Sequence, residues 1–109
     1  MPFELMPTPQ FLKEVKILSR KYPSIKNDLE MLGLELIENP TKGEPLGKDC
    51  YKVRMAITSK GKGKSGGARV ITCVKIVQER IFLLVIYDKS ELENIDESLI
   101  KDRLKFLLE

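Results

Sequence analysis

Hydrophobic and polar residues change their spacing several times along this chain, and each spacing predicts one kind of element. Apolar side chains first recur at helical intervals, at Phe11, Val15, Leu18 and Tyr22 and then at Ile25, Leu29, Leu32 and Leu36. Thr8 followed by Pro9 is a typical helix start, Ser24 is expected to cap the second helix, and Pro23 and Asn39-Pro40 are typical stops. The spacing therefore predicts an antiparallel helical hairpin whose apolar stripes face one core.

The middle of the chain alternates with the period of a β-strand. Tyr51, Val53, Met55 and Ile57 fall on one face, and Lys52, Arg54, Ala56 and Thr58 on the other. The run from Ala68 to Val77 places Val70, Val74 and Ile76 on an apolar side, and Arg69, Cys73 and Lys75 opposite. If the two runs pair as a hairpin, Lys52, Arg54 and Arg69 share one surface.

The remaining segments complete the expected order of elements. Residues 3–6 predict a short edge strand, and residues 41–49, which contain Pro45, predict a loop. Residues 81–87 are apolar without alternation, as in a central strand that is covered on both faces. Asn94 is expected to cap a last helix. Its partial apolar stripe contains Leu99, Ile100, Arg103, Leu104 and Leu107.

The size and composition favour a single domain, residues 1–109. The chain is long enough for one core but short for two, and its 32% charged and 42% hydrophobic residues are ordinary for a globular protein. Its apolar runs are too short to cross a bilayer, and its first residues lack the features of a secretory signal. We therefore expect a cytoplasmic protein with no membrane partner.

The chain contains no histidine and only two cysteines, Cys50 and Cys73. Two distant cysteines without histidine do not make a metal site, so neither a metal nor another cofactor is expected. Both cysteines lie in predicted strands, and we expect reduced, structural thiols. Any proton transfer must use Lys, Glu, Asp, Tyr or Cys, because the commonest general base is absent.

Positive charge is concentrated between residues 47 and 70. The net charge there is +6, whereas the whole chain carries +3, so the remainder is slightly acidic. The segment includes KGKGKSGG at residues 60–67, which resembles a phosphate-binding P-loop only superficially, because its glycine spacing is wrong and strands flank it on both sides. A basic hairpin favours a phosphate-rich partner. The lysines expected to contact such a partner are Lys48, Lys60, Lys62 and Lys64.

Four segments in this order give the chain a family resemblance. The segments KKYPSIKNDLEMLGLELIENPTKGEPL, DCYKVRM, GKSGGARVI and IYDKSELENI resemble the RelE/ParE superfamily of bacterial toxins, most of all its RelE-like, HigB-type members. The resemblance implies an α+β fold with a curved antiparallel sheet packed against the N-terminal helical hairpin, and a C-terminal helix. It also implies a type II toxin that cleaves messenger RNA on the ribosome. A cognate antitoxin, expected to be a small helix-turn-helix protein, would bind the toxin and inhibit it.

The resemblance also assigns site residues. In ribonuclease members, basic residues on the first long strand and on the next strand are catalytic, and these positions match Lys52, Arg54 and Arg69. The segment after the last strand contributes a further basic or aromatic group, here Lys89 as a catalytic residue and Tyr87 as a base-stacking one. In the expected metal-free reaction the RNA 2′-hydroxyl attacks the adjacent phosphorus. Lys52 acts as base, the two arginines clamp the phosphate, and Lys89 is an auxiliary contact or acid.

Two other functions are open alternatives. A ParE-like inhibitor of DNA gyrase would bind a protein without cutting nucleic acid, and its strand cations would be dispensable. A non-catalytic nucleic-acid-binding protein would show salt-sensitive binding without growth arrest.

Overall fold

The computed structural model describes residues 3–61, 63 and 66–107, which form an α+β fold. In chain order the elements are β1 (Glu4–Pro7), α1 (Pro9–Lys21), α2 (Ile25–Glu38), β2 (Glu44–Gly47), β3 (Cys50–Met55), β4 (Ala68–Lys75), β5 (Arg80–Asp88) and α3 (Glu97–Leu107). A short 3-10 turn, Thr58–Lys60, follows β3. The five strands form one sheet in the order β1-β5-β4-β3-β2. The predicted α+β class is confirmed.

The sheet is mixed, so the expectation of a purely antiparallel sheet is wrong at one edge. β1 runs parallel to β5, with Glu4 opposite Arg80 and Pro7 opposite Leu83, whereas the other neighbouring strands are antiparallel. Tight hairpin turns impose antiparallel pairing, but β1 reaches β5 through most of the chain, including two helices. Its direction is therefore free of any hairpin constraint.

Residues 41–49, predicted as a loop, contain the edge strand β2. It pairs with β3 through a register that shifts between Pro45 and Gly47. An edge strand tolerates proline and glycine because one side of its backbone needs no partner strand. Lys48 and Asp49 connect β2 to β3, both with positive φ, as in the two-residue turns that favour hairpins. Because proline and glycine are typical of loops, the sequence pattern predicted a loop here and not a strand.

Helices cover both faces of the sheet. Phe11 and Val15 of α1 and Leu36 of α2 are buried with Val53 and Ile86 in the larger core cluster, which confirms the predicted helical hairpin. On the opposite face, α3 packs onto a second cluster that contains Ile71, Cys73, Leu84 and Val85; its own contribution is Ile100, Leu104 and Leu107. Both β4 and β5 are consequently buried along most of their length, as predicted for the central strand at residues 81–87.

The two N-terminal helices begin differently. Thr8 Oγ1 accepts a hydrogen bond from Phe11 N at 3.4 Å, which confirms the predicted cap of α1. Ser24 precedes α2 but makes no capping bond. Its hydroxyl instead donates to Asp28 Oδ2 at 2.8 Å and accepts from Ser59 N at 2.8 Å. Ser24 therefore joins α2 to the turn after β3.

Two boundaries in the C-terminal half also differ from the prediction. Asn94 does not cap α3, because the helix begins at Glu97 and Asp96 Oδ1 accepts from Ser98 N at 3.0 Å. Ile76, predicted on the apolar side of a strand, is exposed in the turn after β4, which ends at Lys75.

An ion pair completes the edge of β5 where β1 ends. The pairing of β1 stops at Leu83. Beyond it, Ile86 N donates to Glu14 Oε1 at 3.3 Å and Leu84 O accepts from Arg103 Nη1 at 2.6 Å. Arg103 also donates to both carboxylate oxygens of Glu14, from Nη1 to Oε1 at 2.7 Å and from Nη2 to Oε2 at 2.9 Å. The pair thus ties α1 to α3 around the edge of the sheet.

Across residues 3–61, 63 and 66–107, no helix combines the length and the apolar character needed to span a membrane. No three His, Cys, Asp or Glu side chains in the same ranges come together as a metal site.

Candidate functional site

The pairing of β3 with β4 brings three predicted site residues together. Arg54 lies directly opposite Arg69, and Lys52 lies opposite Ile71. Paired residues of an antiparallel ladder point to the same face, as do residues two apart on one strand. The prediction that the two basic runs form a hairpin with Lys52, Arg54 and Arg69 on one surface is therefore confirmed.

A groove of about 630 Å³ opens at this surface. Lys52, Arg54 and Arg69 line it, and Lys89, the residue after β5, lines it as well. Its other lining residues include Lys42, Glu44, Glu93 and Asn94. The structure thus places all four residues predicted to be catalytic in one predominantly basic groove. Their catalytic roles stay predictions.

Arg69 is the most buried of these cations, with 3% of its surface exposed. Its Nη1 donates to the carbonyl of Ala68 at 3.1 Å. Burial lowers the pKa of Arg69, and the neighbouring charge of Arg54 lowers it further. A guanidinium remains charged in proteins despite such shifts. The two arginines are therefore like charges held together, an arrangement that an anion bound between them stabilises.

Glu44 is the groove residue that the sequence did not reveal. It lies opposite Lys52 in the pairing of β2 with β3, and its Oε2 is 3.2 Å from the Lys52 ammonium. The carboxylate supplies a counter-charge inside a basic groove. Recognising β2 as a strand is the only signal that would have placed Glu44 here, because its role depends on being opposite Lys52.

Lys60, predicted to contact RNA, is engaged in a buried ion pair. Its Nζ lies 2.8 Å from Asp88 Oδ1 and 2.9 Å from Ser90 Oγ, while Asp88 Oδ2 accepts from the Tyr22 hydroxyl at 2.7 Å. Burial opposes ionisation of Asp88, but hydrogen bonds from Lys60, Tyr22 and Ser90 outweigh it and hold its pKa well below the usual range. The network fixes the turn after β3 against the end of β5. RNA contact by Lys60 stays a prediction.

The other predicted RNA contacts are dispersed. Lys62 and Lys64 lie outside the described residues, and Lys48 is exposed at the turn between β2 and β3. Tyr87 is 8% exposed and packs in the cluster beneath α3 with Ile100 and Leu104. Burial raises the pKa of Tyr87. Stacking of Tyr87 on a base requires its ring to be uncovered and stays a prediction.

Comparison with known proteins identifies the class of this protein. Residues 20–106 match the profile of a family described as the RelE toxin of the RelE/RelB toxin-antitoxin system. A match over most of the chain makes the protein a toxin of a type II toxin-antitoxin system. The chain belongs to the RelE toxin family.

Solved structures show the same fold. An Escherichia coli RelE toxin with two arginine-to-alanine changes, in the free state, is 20% identical with a TM-score of 0.65, covering 96% of this chain and 97% of that one. The toxin of the intact E. coli RelBE toxin-antitoxin complex is 21% identical with a TM-score of 0.62, over 79% and 95%. A conserved hypothetical protein from Helicobacter pylori is 20% identical with a TM-score of 0.54, over 83% and 98%. At these identities the likeness concerns the fold alone.

Proposed function

We propose that this toxin, a HigB-type member acting as a single domain over residues 1–109, is an endoribonuclease that cuts messenger RNA on the ribosome and so inhibits translation. The observation that carries the proposal is the groove in which Lys52, Arg54, Arg69 and Lys89 meet. Such a groove suits a substrate with one negative charge per nucleotide. Family membership supports the same activity.

The proposed reaction uses the RNA's own 2′-hydroxyl as nucleophile. Its oxygen bonds to the adjacent phosphorus, the bond from phosphorus to the 5′-oxygen breaks, and a cyclic phosphate remains. Charge grows on the phosphoryl oxygens in the transition state, and donors aimed at such oxygens contribute most to catalysis. Arg54 and Arg69 supply these donors, since paired guanidinium forks match the geometry of a phosphate.

Proton transfer falls to the two lysines of the groove. Lys52 in its neutral form takes the 2′ proton, and Lys89 in its charged form donates one to the leaving 5′-oxygen. Glu44 engages the Lys52 ammonium in the free protein. A phosphate that enters the groove repels the Glu44 carboxylate, and Lys52, separated from its counter-charge, gives its extra proton to water and faces the 2′-hydroxyl as an amine. Glu44 is thus a positioning residue that holds Lys52 until substrate arrives.

The ribosome and an antitoxin are the proposed partners. Ribosome-bound message is already aligned, and alignment removes several kcal/mol from a barrier in favourable cases. This substrate places the toxin in the cytoplasm. An E. coli relative has been solved in complex with its antitoxin. We propose a cognate antitoxin with a helix-turn-helix that neutralises this toxin by covering the groove with an acidic or helical segment.

Cleavage of a defined message on purified ribosomes, with 5′ ends mapped, tests the proposal. The parent protein should produce cuts within the ribosome-bound region, and Lys52→Ala, Arg54→Ala and Arg69→Ala should each lose most of that activity. Lys16→Ala is the matched control, because Lys16 is an exposed lysine on α1. Uncut message, or three variants as active as the parent, would overturn the proposal. Inhibition of DNA gyrase without RNA cleavage would favour the ParE-like alternative.

A further inference from the structure

Cys50 and Cys73 are direct neighbours across two strands. Cys50 of β3 lies opposite Cys73 of β4, and Val74 N donates to Asp49 O at 2.9 Å beside them. That bond flanks the pair, so the two cysteines occupy a non-hydrogen-bonded position of the ladder. At such positions the Cα atoms approach to about 4.5 Å. Disulfides form when this separation is about 4.4 to 6.8 Å, so the backbone already meets the main geometric requirement.

We propose that Cys50 and Cys73 form a redox site whose two thiols are joined into a disulfide by hydrogen peroxide and separated again by a small thiol. The two cysteines do not line the groove, although Lys52 lies both in the groove and at the cavity beside Cys50. The inference holds whether or not the protein cuts RNA. It replaces the expectation of two inert structural thiols with a reactive pair.

The surroundings of Cys50 and Cys73 shield the two thiols from large molecules but leave a cavity that a small oxidant can enter. Cys50 is 2% exposed and Cys73 is 0% exposed, within the cluster beneath α3. Cys50 nevertheless lines a cavity of about 450 Å³ that is also bounded by Ile100 and Leu104 of α3. An oxidant the size of peroxide can enter such a cavity, whereas a protein reductase or a second copy of this chain cannot. The site should therefore favour an intramolecular bond.

The two thiols also influence each other's ionisation. Hydrogen bonding with Cys50 lowers the pKa of Cys73 to about 7, although burial opposes that change. The same hydrogen bonding, together with burial, raises the pKa of Cys50. Of the two thiols, Cys73 is therefore the one that ionises more readily. One thiolate beside one thiol is the state that begins disulfide formation.

The reaction balances with peroxide as the only added reactant. The proton shared by the two sulfurs moves to Cys73, and Cys50, the sulfur at the cavity, attacks one peroxide oxygen as the thiolate; a sulfur–oxygen bond forms, the oxygen–oxygen bond breaks, and hydroxide leaves. The neighbouring thiol then attacks the resulting sulfenic sulfur. A sulfur–sulfur bond forms, the sulfur–oxygen bond breaks, and the second hydroxide leaves with the thiol proton as water. The two sulfurs together lose two electrons, which the peroxide gains.

Intact-mass and peptide-mapping spectrometry of the full chain test the site. The reduced, folded protein is treated with hydrogen peroxide at low concentration, the peroxide is removed, and the chain is then unfolded in denaturant with N-ethylmaleimide, which labels every free thiol. We expect the labelled thiols to fall from two per chain to none, with a linked peptide pair containing Cys50 and Cys73. Dithiothreitol should restore both. This measurement needs no substitution, so it does not depend on a variant folding.

The Cys73→Ser variant supplies the matched control. Without its partner, Cys50, which lines the cavity, should stop at sulfenic acid, which dimedone traps, and the parent should show far less dimedone adduct. The proposal is overturned if the folded parent keeps both thiols free after peroxide, if it links only between chains, or if both sulfurs oxidise without joining. Circular dichroism before and after treatment confirms that the chain stays folded.

Discussion

Arg54 and Arg69 face each other across β3 and β4, so two guanidinium groups share one groove. Arg69 is buried and fixed, whereas Arg54 is exposed. Because the two arginines differ in burial, substitutions at the two positions should have different effects. A change at Arg54 alters the groove without disturbing the core, while a change at Arg69 affects both.

Replacing Arg54 should therefore report on catalysis alone. Loss of one donor to a developing oxyanion costs roughly 2 to 4 kcal/mol, so Arg54→Ala should lower the cleavage rate roughly 30- to 900-fold. Its free energy of unfolding should stay within about 0.5 kcal/mol of the parent, because the side chain is exposed. Single-turnover cleavage of ribosome-bound message and urea denaturation measure the two quantities. Cleavage within twofold of the parent would contradict a role for Arg54.

Glu44→Gln should leave cleavage intact and strengthen RNA binding. The carboxylate is the counter-charge of Lys52 and one of the acids in the groove, so its loss makes the proposed RNA-binding groove more positive. The affinity for a short RNA should rise a few-fold at low salt, and the gain should fade as salt screens the groove. Fluorescence anisotropy across a salt series is the measurement. A large loss of cleavage would identify Glu44 as the proton acceptor in place of Lys52.

The ion pair of Asp88 with Lys60 should contribute strongly to stability. Removing one partner of a buried pair costs about 3 kcal/mol, and we expect that loss for Asp88→Asn. Because folding lowers the pKa of Asp88, its contribution should be complete above about pH 4, the ordinary range of an unfolded aspartate, and should shrink as the pH falls below it. Urea denaturation of both proteins at pH 7 and pH 3 measures the change.

Glu91→Gln is the control for Asp88. The pair of Glu91 with Lys21 is exposed on both sides, so water screens it and its loss should change the free energy of unfolding little. If Asp88→Asn changed the free energy of unfolding as little as this control, the buried network would contribute no more to stability than an exposed ion pair.

The ion pair of Glu14 with Arg103 should hold α3 on the sheet. Arg103→Met keeps most of the side chain's bulk but leaves Glu14 and the Leu84 carbonyl without their donor. Hydrogen exchange within α3 should accelerate at least tenfold, while the amides of β4 should change less. Lys105→Ala, an exposed change on the same helix, is the control. Equal protection of α3 in Arg103→Met and parent would show that the apolar cluster alone holds the helix.

Local patterns predicted most of the fold because they act within one element. Alternation placed Lys52 and Arg54 on the correct face, and Thr8 marked the correct start of α1. The missed features depend on a partner far along the chain. Glu44 acquires its role from the strand opposite it, and Lys60 acquires its role from Asp88. The local sequence around a charged loop residue is the same whether its side chain faces solvent, binds RNA or pairs with a buried carboxylate, so it cannot distinguish these environments.

The parallel pairing of β1 with β5 also determines how late in synthesis the sheet and its groove can form. β1 is synthesised before the other strands of the sheet and finds its hydrogen-bonding neighbour only after residues 80–83 have been made. Contacts between such distant segments form slowly, since a long loop must close before they are gained. Lys89 is made after β5, so a nascent chain lacks a finished groove until the last strand of the sheet has been synthesised. The order of synthesis therefore keeps the four cations of the groove from acting together while the strands that position them are still being made.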